Sequence, residues 1–351
     1  MGLLEFLGYM LESPMLLIST VLTLAVILVN GWTDAPNAIA TCVSTRAIEV
    51  KKAIVMAAVF NLLGVFVMTM IAPNVAQTVT KMVSFKNDES GKLALIALCA
   101  AMLAIVVWAT AAWYFGIPTS ESHALIAGLS GAALASGGTI NGKEWMKVIY
   151  GLGLSTLLGF AAGFVVSKII TLIFKNKNRL KCEKFFSRGQ VAGGAMMAFM
   201  HGAQDGQKFM AIFILGSFLA RGQEIPAEGF DSSQWIWLMI VCALVMGLGT
   251  SIGGYKIIKS VGMDMVKLKP YQGFAADLVS TGCLLLATFT GIPVSTTHTK
   301  TTAIMGVGAA RRMSNVNWSV VKELVLTWVF TFPGCGLLGF LVAKLFLMIF
   351  A

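Results

Sequence analysis

The sequence predicts an all-α polytopic membrane protein, with about ten to twelve transmembrane helices in two inverted repeats and broken or re-entrant helices at the midplane. The first observation is composition, since 57% of the 351 residues are hydrophobic and only 12% are charged. A soluble protein carries roughly twice that charged fraction. The second is that the apolar runs reach the roughly 20 residues that a helix needs to span a bilayer. The third is a motif that occurs once in each half.

This motif is an octet that starts at Gly-Ile-Pro and ends at His. The first octet, 116–123, reads Gly-Ile-Pro-Thr-Ser-Glu-Ser-His, and the second octet, 291–298, reads Gly-Ile-Pro-Val-Ser-Thr-Thr-His. Each follows an acid in a polar motif, Asp34 in the first half and Asp205 in the second. Two halves that each carry an acid motif and then a hydroxyl-rich helix break are typical of transporters built from internal repeats.

The apolar runs divide into ten predicted crossings, five on each side of a basic loop. An odd number of crossings per repeat forces the two repeats into opposite orientations. Gly and polar residues interrupt the first and sixth crossings, so we expect both to be broken. The predicted domains are a first repeat at 1–174, a basic cytoplasmic linker at 175–190 and a second repeat at 191–351. The predicted crossings are 15–45, 53–72, 93–114, 118–137, 147–174, 191–219, 235–254, 271–290, 294–310 and 319–350.

The net charge of +10 does not indicate a nucleic-acid partner, because the basic residues fall in short loops between apolar runs. With the N-terminus outside, the inner loops hold 16 of the 26 Lys and Arg residues and the outer loops hold 6, as the positive-inside rule requires. We therefore expect a multi-pass protein of the cell (plasma or inner) membrane, with the lipid bilayer as a partner. The sequence does not fix the oligomeric state, so a homodimer stays open.

The octets predict an anion pocket between two helix starts. Pro118 and Pro293 suit the first turn of a new helix, and the Ser and Thr residues that follow can cap its free amides. A helix N-terminus carries partial positive charge, which suits an anion, and inversion aims the two ends at each other. The alternative is a simple kink whose backbone the hydroxyls satisfy. The predicted lining residues are Thr119, Ser120, Ser122, Ser295, Thr296 and Thr297.

Four acids lie within apolar runs: Asp34, Glu121, Asp205 and Asp277. A charged side chain at the bilayer centre costs about 2.5–3.5 kcal/mol on insertion scales and is rarely unpaired. The i, i+3 spacing places Asp34 beside Asn37 and Asp205 beside Lys208. Oxygen ligands at helix breaks suit a hard monovalent cation, so coupling Na⁺ is the first interpretation and a proton on Asp the second. A structural Asp205–Lys208 ion pair is the alternative, and Asp277 is an additional cation-ligand candidate.

Histidine and cysteine usage does not predict a metal centre. His123, His201 and His298 all lie in these motifs, but none pairs with another ligand in a metal-binding pattern. We expect them to support the helix breaks by hydrogen bonds, with proton relay as the alternative. The six cysteines form no CxxC pair. We therefore expect no catalytic residue, no cofactor and no metal beyond the coupling ion.

Taken together, the four motifs resemble those of the inorganic phosphate transporter (PiT) family, the sodium- or proton-coupled phosphate permeases. That family carries Gly-Ala-Asn-Asp-x-x-Asn, then His-Gly-Ala-Asn-Asp-x-x-Lys, each followed by Pro-x-Ser-x-x-His. Here the acid motifs read Gly-Trp-Thr-Asp-Ala-Pro-Asn at 31–37 and His-Gly-Ala-Gln-Asp-Gly-Gln-Lys at 201–208. Thr33 and Gln204 replace the Asn before each Asp, and Asp277 stands where Glu is expected, so the differences fall on the expected cation shell.

The resemblance implies a secondary active transporter, not an enzyme, that imports inorganic phosphate coupled to Na⁺ or H⁺. It implies phosphate between the helix breaks, with Asp34 and Asp205 also in contact with it. Lys208 and Lys300 are expected to balance charge or contact phosphate. The expected cation ligands are Asp34, Asn37, Gln204, Asp205 and Asp277.

Three rival functions remain open at this point. A sulfate permease of the same fold would bind an anion of the same shape, and only an acceptor for the phosphate O–H, such as Asp34 or Asp205, would tell the two anions apart. A passive anion channel would share the pocket but need no coupling carboxylates. An intramembrane hydrolase could use Ser, His and Asp, but the sequence offers no metal motif for it.

Overall fold

The structure, a computed structural model, describes a chain built almost entirely of helices. The described residues are 2–86, 91–115, 119–223, 225–226, 230, 232–253 and 255–351. Pro118, which the sequence places in the first turn of a helix, lies outside these residues.

Apolar sequence and capping residues set where the helices begin and end. Asn141 and Asn178 accept bonds from the first backbone amides of the helices that follow them, which satisfies donors that the helix itself cannot pair. The α-helices formed by the described residues are α1 Leu3–Glu12, α2 Pro14–Thr33, α3 Ala35–Ser44, α4 Val50–Ile71, α5 Asn74–Thr80, α6 Lys92–Tyr114, α7 Glu121–Ala135, α8 Gly142–Phe174, α9 Arg179–His201, α10 Gln207–Leu219, α11 Ile236–Gly253, α12 Tyr255–Lys259, α13 Pro270–Phe289, α14 Thr296–Arg311 and α15 Trp318–Phe350.

Extended structure is confined to short pairings at the ends of helices. Strand β1 (Val83–Ser84) pairs antiparallel with strand β2 (Thr139–Ile140), and a single bridge joins Val266 to Val316. The two pairings occupy equivalent positions in the two halves. Each joins a segment that precedes an octet to a segment that follows the same octet. Both pairings lie at the ends of helices, and within the described residues neither extends into a larger sheet.

The helices confirm an all-α membrane protein with several spans. Six described segments are long and apolar enough to cross a bilayer, and a pair bent by 74° within 236–264 would make a seventh. Helices overlap all ten predicted crossings, yet α7 and α14 are shorter than the roughly 20 residues of a full span. The predicted number of crossings and the inversion of the repeats therefore stay predictions. The six segments are Pro14–Ser44, Val50–Ile71, Lys92–Tyr114, Gly142–Phe174, Pro270–Phe289 and Trp318–Phe350.

The first crossing is broken at Asp34, as the sequence predicts, whereas the sixth is irregular at Asp205 but not broken. Helix α2 ends at Thr33 and α3 begins at Ala35, with Asp34 between them. Pro36 contributes to this break because it has no N–H to continue the hydrogen-bond ladder. In the second half the helix continues as a π-helical turn over Gly202–Gly206, which contains Asp205. Such π-turns are frequent at functional sites.

The two helices that follow the octets are enclosed by longer helices. Helix α7 packs against α15 and α6, whereas α14 packs against α8 and α13. The most apolar stretches of α8 and α15 are only 17% buried within the protein, so these two helices provide much of the lipid-facing wall. The octet helices therefore lie in the interior, shielded from lipid.

Close packing of α7 on α15 predicts a sharp difference between two glycine substitutions. A Cβ on Gly131 would lie 2.0 Å from the Gly336 carbonyl oxygen, whereas a Cβ on Gly153 would meet nothing within 4 Å. We expect Gly131→Ala to lower the free energy of unfolding by about 1–3 kcal/mol, the usual cost of overpacking. Gly153→Ala serves as the control and should change it little. Thermal unfolding of the detergent-solubilised protein measures both, and equal stability of the two variants would contradict this packing.

Candidate functional site

Each octet ends in a capped helix start. Gly291, with φ of 68°, takes the left-handed conformation that commonly ends a helix, here after α13. Ser295 then caps α14 by accepting from the His298 amide at 3.1 Å, and Ser120 caps α7 by accepting from the His123 amide at 3.3 Å. The predicted caps are therefore present. The prediction for Pro293 is wrong, because it precedes the cap instead of lying in the first helical turn.

The two helix starts meet in the interior of the protein. The rings of His123 and His298 pack edge to face with centroids 4.5 Å apart. Phe332 stacks on the first ring at 4.6 Å, and Trp328 packs on the second at 3.8 Å. Both histidines are fully buried. The octets, 175 residues apart in sequence, thus form one centre.

The histidines differ from expectation in their bonding. The ring nitrogens of His123 and His298 have no hydrogen-bond partner among the described residues, so aromatic packing replaces the predicted hydrogen bonds. His201 behaves as predicted: its Nδ1 lies 3.1 Å from Asn61 Oδ1, and its Nε2 lies 3.2 Å from Asp205 Oδ2. The sequence did not reveal the difference because the packing residues come from α15.

The acid motif of the first half bonds to the octet of the second half. Thr297 donates its hydroxyl to Asp34 Oδ1, and the Asn37 amide donates to Thr297 Oγ1 at 2.7 Å. The Asn37 amide also lies 3.5 Å from Asp34 Oδ1, as the i, i+3 spacing predicts. All three side chains are at most 1% exposed.

The acid motif of the second half bonds to the octet of the first half in the same way. Ser122, which corresponds to Thr297, lies 3.4 Å from Asp205 Oδ1. Lys208, which corresponds to Asn37, donates to Ser122 Oγ at 2.6 Å. Its ammonium also donates to Asp205 Oδ1 at 2.7 Å and to the Val294 carbonyl at 2.7 Å. Three bonds use all the hydrogens of Lys208.

The structure adds three polar residues that the site prediction omitted. Thr33 donates to Glu121 Oε1, and Asn30 donates to Asp205 Oδ2 at 3.2 Å. Glu121 also interacts electrostatically with Asp34 and with Asp205. The sequence signal of Glu121 was an acid inside an apolar run, and that of Thr33 was its departure from the family motif, whereas Asn30 gave no signal beyond proximity to Asp34.

Several buried oxygen atoms in this centre lack a hydrogen-bond partner within the described part of the chain. They include a carboxylate oxygen of Asp34, a carboxylate oxygen of Glu121 and the amide oxygen of Asn37. Next to the centre in the sequence motifs, the amide oxygen of Gln204 and the hydroxyl of Thr296 are also buried without a partner. Buried polar groups are normally paired, and carbonyl and carboxylate oxygens are the preferred ligands of hard cations. These residues therefore fit a cation.

Buried carboxyl groups outnumber buried ammonium groups in this centre. Asp34, Glu121 and Asp205 contribute three carboxylates, and Lys208 contributes the one ammonium that contacts them within the described residues. In a medium of low dielectric constant, uncompensated charge is costly. The excess of carboxyl groups must be met by bound cations or by protons on the carboxyl groups.

Three predicted site residues make their contacts elsewhere. Thr119 Oγ1 lies 3.0 Å from Thr331 Oγ1 on α15, and the Gln204 amide donates to Thr288 Oγ1 at 3.0 Å. Asp277 pairs with Lys300, and neither is bonded to Asp34 or Asp205. Lys300 therefore balances the charge of Asp277, not that of Asp34 or Asp205.

Comparison with known proteins gives consistent matches over most of the chain. A family model described as "Phosphate transporter family" matches residues 30–182 and 174–339. A probable low-affinity inorganic phosphate transporter of Bacillus subtilis (strain 168) is 40% identical over 346 residues, covering 95% of this chain and 99% of that protein. A protein of the same description from Rhizobium meliloti (strain 1021) is 35% identical, covering 88% and 90%.

One solved structure shares the fold. It is described as "The sodium-dependent phosphate transporter" and superposes with a TM-score of 0.85 at 23% sequence identity. The match covers 97% of this chain and 100% of that one. The arrangement of helices is therefore that of a known transporter structure.

The bonds of Lys208 predict that its removal is costly unless its acid is neutralised too. Lys208→Met leaves Asp205 buried without its ammonium, and breaking a buried ion pair in this way costs about 3–5 kcal/mol of unfolding free energy. The double variant Asp205→Asn/Lys208→Met removes both charges and should recover most of that loss. Unfolding of the detergent-solubilised variants measures the difference, and a single variant as stable as the native protein would refute the pairing.

Proposed function

The chain belongs to the phosphate transporter family, and from that membership we propose that it is a secondary active transporter importing inorganic phosphate across the cell membrane, coupled to Na⁺. The observation that carries the proposal is the crossed pair of contacts, Asp34 with Thr297 and Asp205 with Ser122. Each contact joins an acid motif to the octet of the other half. Relatives named as transporters and permeases set the chain apart from enzymes.

We propose that the repeats, 1–174 and 191–351 with the linker 175–190, are inverted and that ten to twelve helical segments enter the membrane. The equivalence of the crossed contacts supports this arrangement, because a two-fold axis between the repeats would exchange Asp34 with Asp205 and Thr297 with Ser122. The paired octet caps, Ser120 and Ser295, support it as well. Alternating access then follows from one repeat rocking against the other.

The anion site in this proposal lies between the two octet helices. Their N-termini direct partial positive charge and hydroxyl donors at a tetrahedral oxyanion. Asp34 and Asp205 accept from a protonated phosphate oxygen, which sulfate lacks near neutral pH. The proposed phosphate ligands are Thr119, Ser120, Ser122, Ser295, Thr296, Thr297, Asp34 and Asp205. Among them Thr119 also contacts Thr331 on α15.

The cation site in this proposal centres on Asp34. Its second carboxylate oxygen and the Asn37 amide oxygen are buried without partners among the described residues, and both are oxygen ligands of the kind a hard cation takes. Asp205 and Gln204 complete the proposed set. Glu121 is added to it, because it shares the negative charge of the centre. Na⁺ is preferred to a proton since several oxygens, not one, lack partners.

Coupling follows from the charge balance of the centre. Three carboxylates facing one ammonium repel a phosphate anion until a cation neutralises part of their charge. Cation binding therefore raises phosphate affinity, and by linkage phosphate raises cation affinity to the same degree. A passive channel has no need of this excess of carboxylates, which favours a symporter.

Uptake into proteoliposomes tests the proposal directly. Under an inward Na⁺ gradient, labelled phosphate should accumulate above its external concentration, because the gradient supplies the free energy. A choline gradient of equal ionic strength is the control. Uptake that only equilibrates would indicate a channel, and accumulation driven by a pH gradient alone would indicate H⁺ coupling. Unlabelled arsenate should compete and sulfate should not; competition by sulfate would favour the sulfate permease.

Substitution of the first acid tests the cation site. Asp34→Asn keeps the shape of the side chain and a bond to Thr297 but removes the charge, so Na⁺-driven uptake should fall to the level of empty liposomes. Thr23→Val on the same helix is the control, because the Thr23 hydroxyl bonds only within its own helix, to the Ser19 carbonyl at 2.7 Å. Normal uptake by folded Asp34→Asn protein would exclude Asp34 from the site.

A further inference from the structure

A second buried ion pair lies outside the centre of crossed contacts. Lys300, on α14, donates its ammonium to Asp277 Oδ1 on α13, and both side chains are fully buried. Thr41, on α3, donates to Asp277 Oδ1 at 2.8 Å and lies 3.3 Å from the Lys300 ammonium. Three helices thus direct one carboxylate, one hydroxyl and one ammonium at a single point.

The walls around this pair are closely packed. A Cβ on Gly193 of α9 would lie only 2.9 Å from the Asp277 Cβ, so this face admits no larger residue without a shift. On the α3 side, the Cys42 thiol lies 4.0 Å from Asp277 Oδ2 and donates to the Gln190 carbonyl at 3.2 Å. Among the described residues, Asp277 and Lys300 are the charged pair at this point. Their opposite charges cancel, so the pair is electrically neutral.

The oxygens of the pair are those a hard cation prefers. A carboxylate and a hydroxyl suit Na⁺, and the sequence made Asp277 an additional cation-ligand candidate for this reason. The Lys300 ammonium already makes the contacts that such an ion would make. A further Na⁺ would leave a net positive charge in a buried, water-poor place, which is strongly unfavourable.

The pair has no counterpart in the first half of the chain. The residue 175 positions before Lys300 is Leu125, and the residue 175 positions before Asp277 is Met102, both apolar and buried. The acid and its ammonium are therefore present together in one half and absent together from the other. This is expected if each of them requires the other.

We propose that the Lys300 ammonium is a built-in cation that occupies the oxygen site of Asp277 and Thr41, so that no free Na⁺ binds there. The inference rests on the proposed function in one respect: it confines the coupling ion to the Asp34 centre. Removing the ammonium converts this position into a Na⁺ site, because the buried Asp277 carboxylate then lacks a counter-charge. A purely structural ion pair gains no such ion dependence when it is broken.

Thermal unfolding of the full-length chain in detergent, without phosphate, tests this. The native protein, Lys300→Ala and Asp277→Asn/Lys300→Met are compared in Na⁺ and in choline at equal ionic strength. We expect Na⁺ to raise the Tm of Lys300→Ala by about 2–4 °C more than that of the native protein, as a new bound ion would. The neutral double variant should respond to Na⁺ as the native protein does.

Two outcomes would overturn the proposal. One is a Lys300→Ala protein whose Na⁺ response equals that of the native protein. The other is a double variant that loses part of the native response, which would make Asp277 a ligand of free Na⁺. If Lys300→Ala does not fold, the comparison of the double variant with the native protein still tests the proposal. Because phosphate is absent and uptake is not measured, the comparison of Lys300→Ala with its controls stays valid even if the uptake assay rejects Na⁺ coupling.

Discussion

Buried negative charge in the middle of an apolar protein is the constraint on which the rest of this centre depends. Asp34 and Asp205 are both fully enclosed, and carboxylates in such surroundings need hydrogen-bond donors and counter-charges. The donors come from the octet of the opposite half, through Thr297 and Ser122. The crossed contacts are therefore both a packing arrangement and the means by which the charge is tolerated.

The two lysines meet this constraint in different ways. Lys208 lies one helical turn after Asp205 and binds the acid of its own motif, so it belongs to the centre. Lys300 lies on the octet helix of the second half but binds Asp277, from a different helix. Lys208 is one ammonium beside three carboxyl groups, and this shortage of positive charge is the physical basis of the proposed coupling to a cation. The second pair is neutral and takes no part in the shortage.

Several features of the centre were predictable because they depend on local sequence. Ser120 and Ser295 cap their helices as hydroxyl residues before a helix do, and the break at Asp34 and the π-helical turn at Asp205 coincide with Pro and Gly. The meeting of the two octet helices was predicted from the repeat alone. The environment of the histidines was not predictable: His298 packs on Trp328, whose helix begins 20 residues later, and no local pattern indicates that contact.

By itself, the sequence determined an all-α membrane protein of the phosphate transporter family. It also identified the acids and the hydroxyl-rich octets that stand out within an apolar chain. It did so because a segment in lipid must satisfy its own backbone, which makes each span recognisable from its own composition. Only the tertiary structure decided which polar groups pair when they lie far apart in the sequence. Glu121 bonds to Thr33, 88 residues away, and Asp34 to a residue 263 positions distant. Such partners are chosen by the packing of whole helices, and spacing along the chain carries no record of that choice.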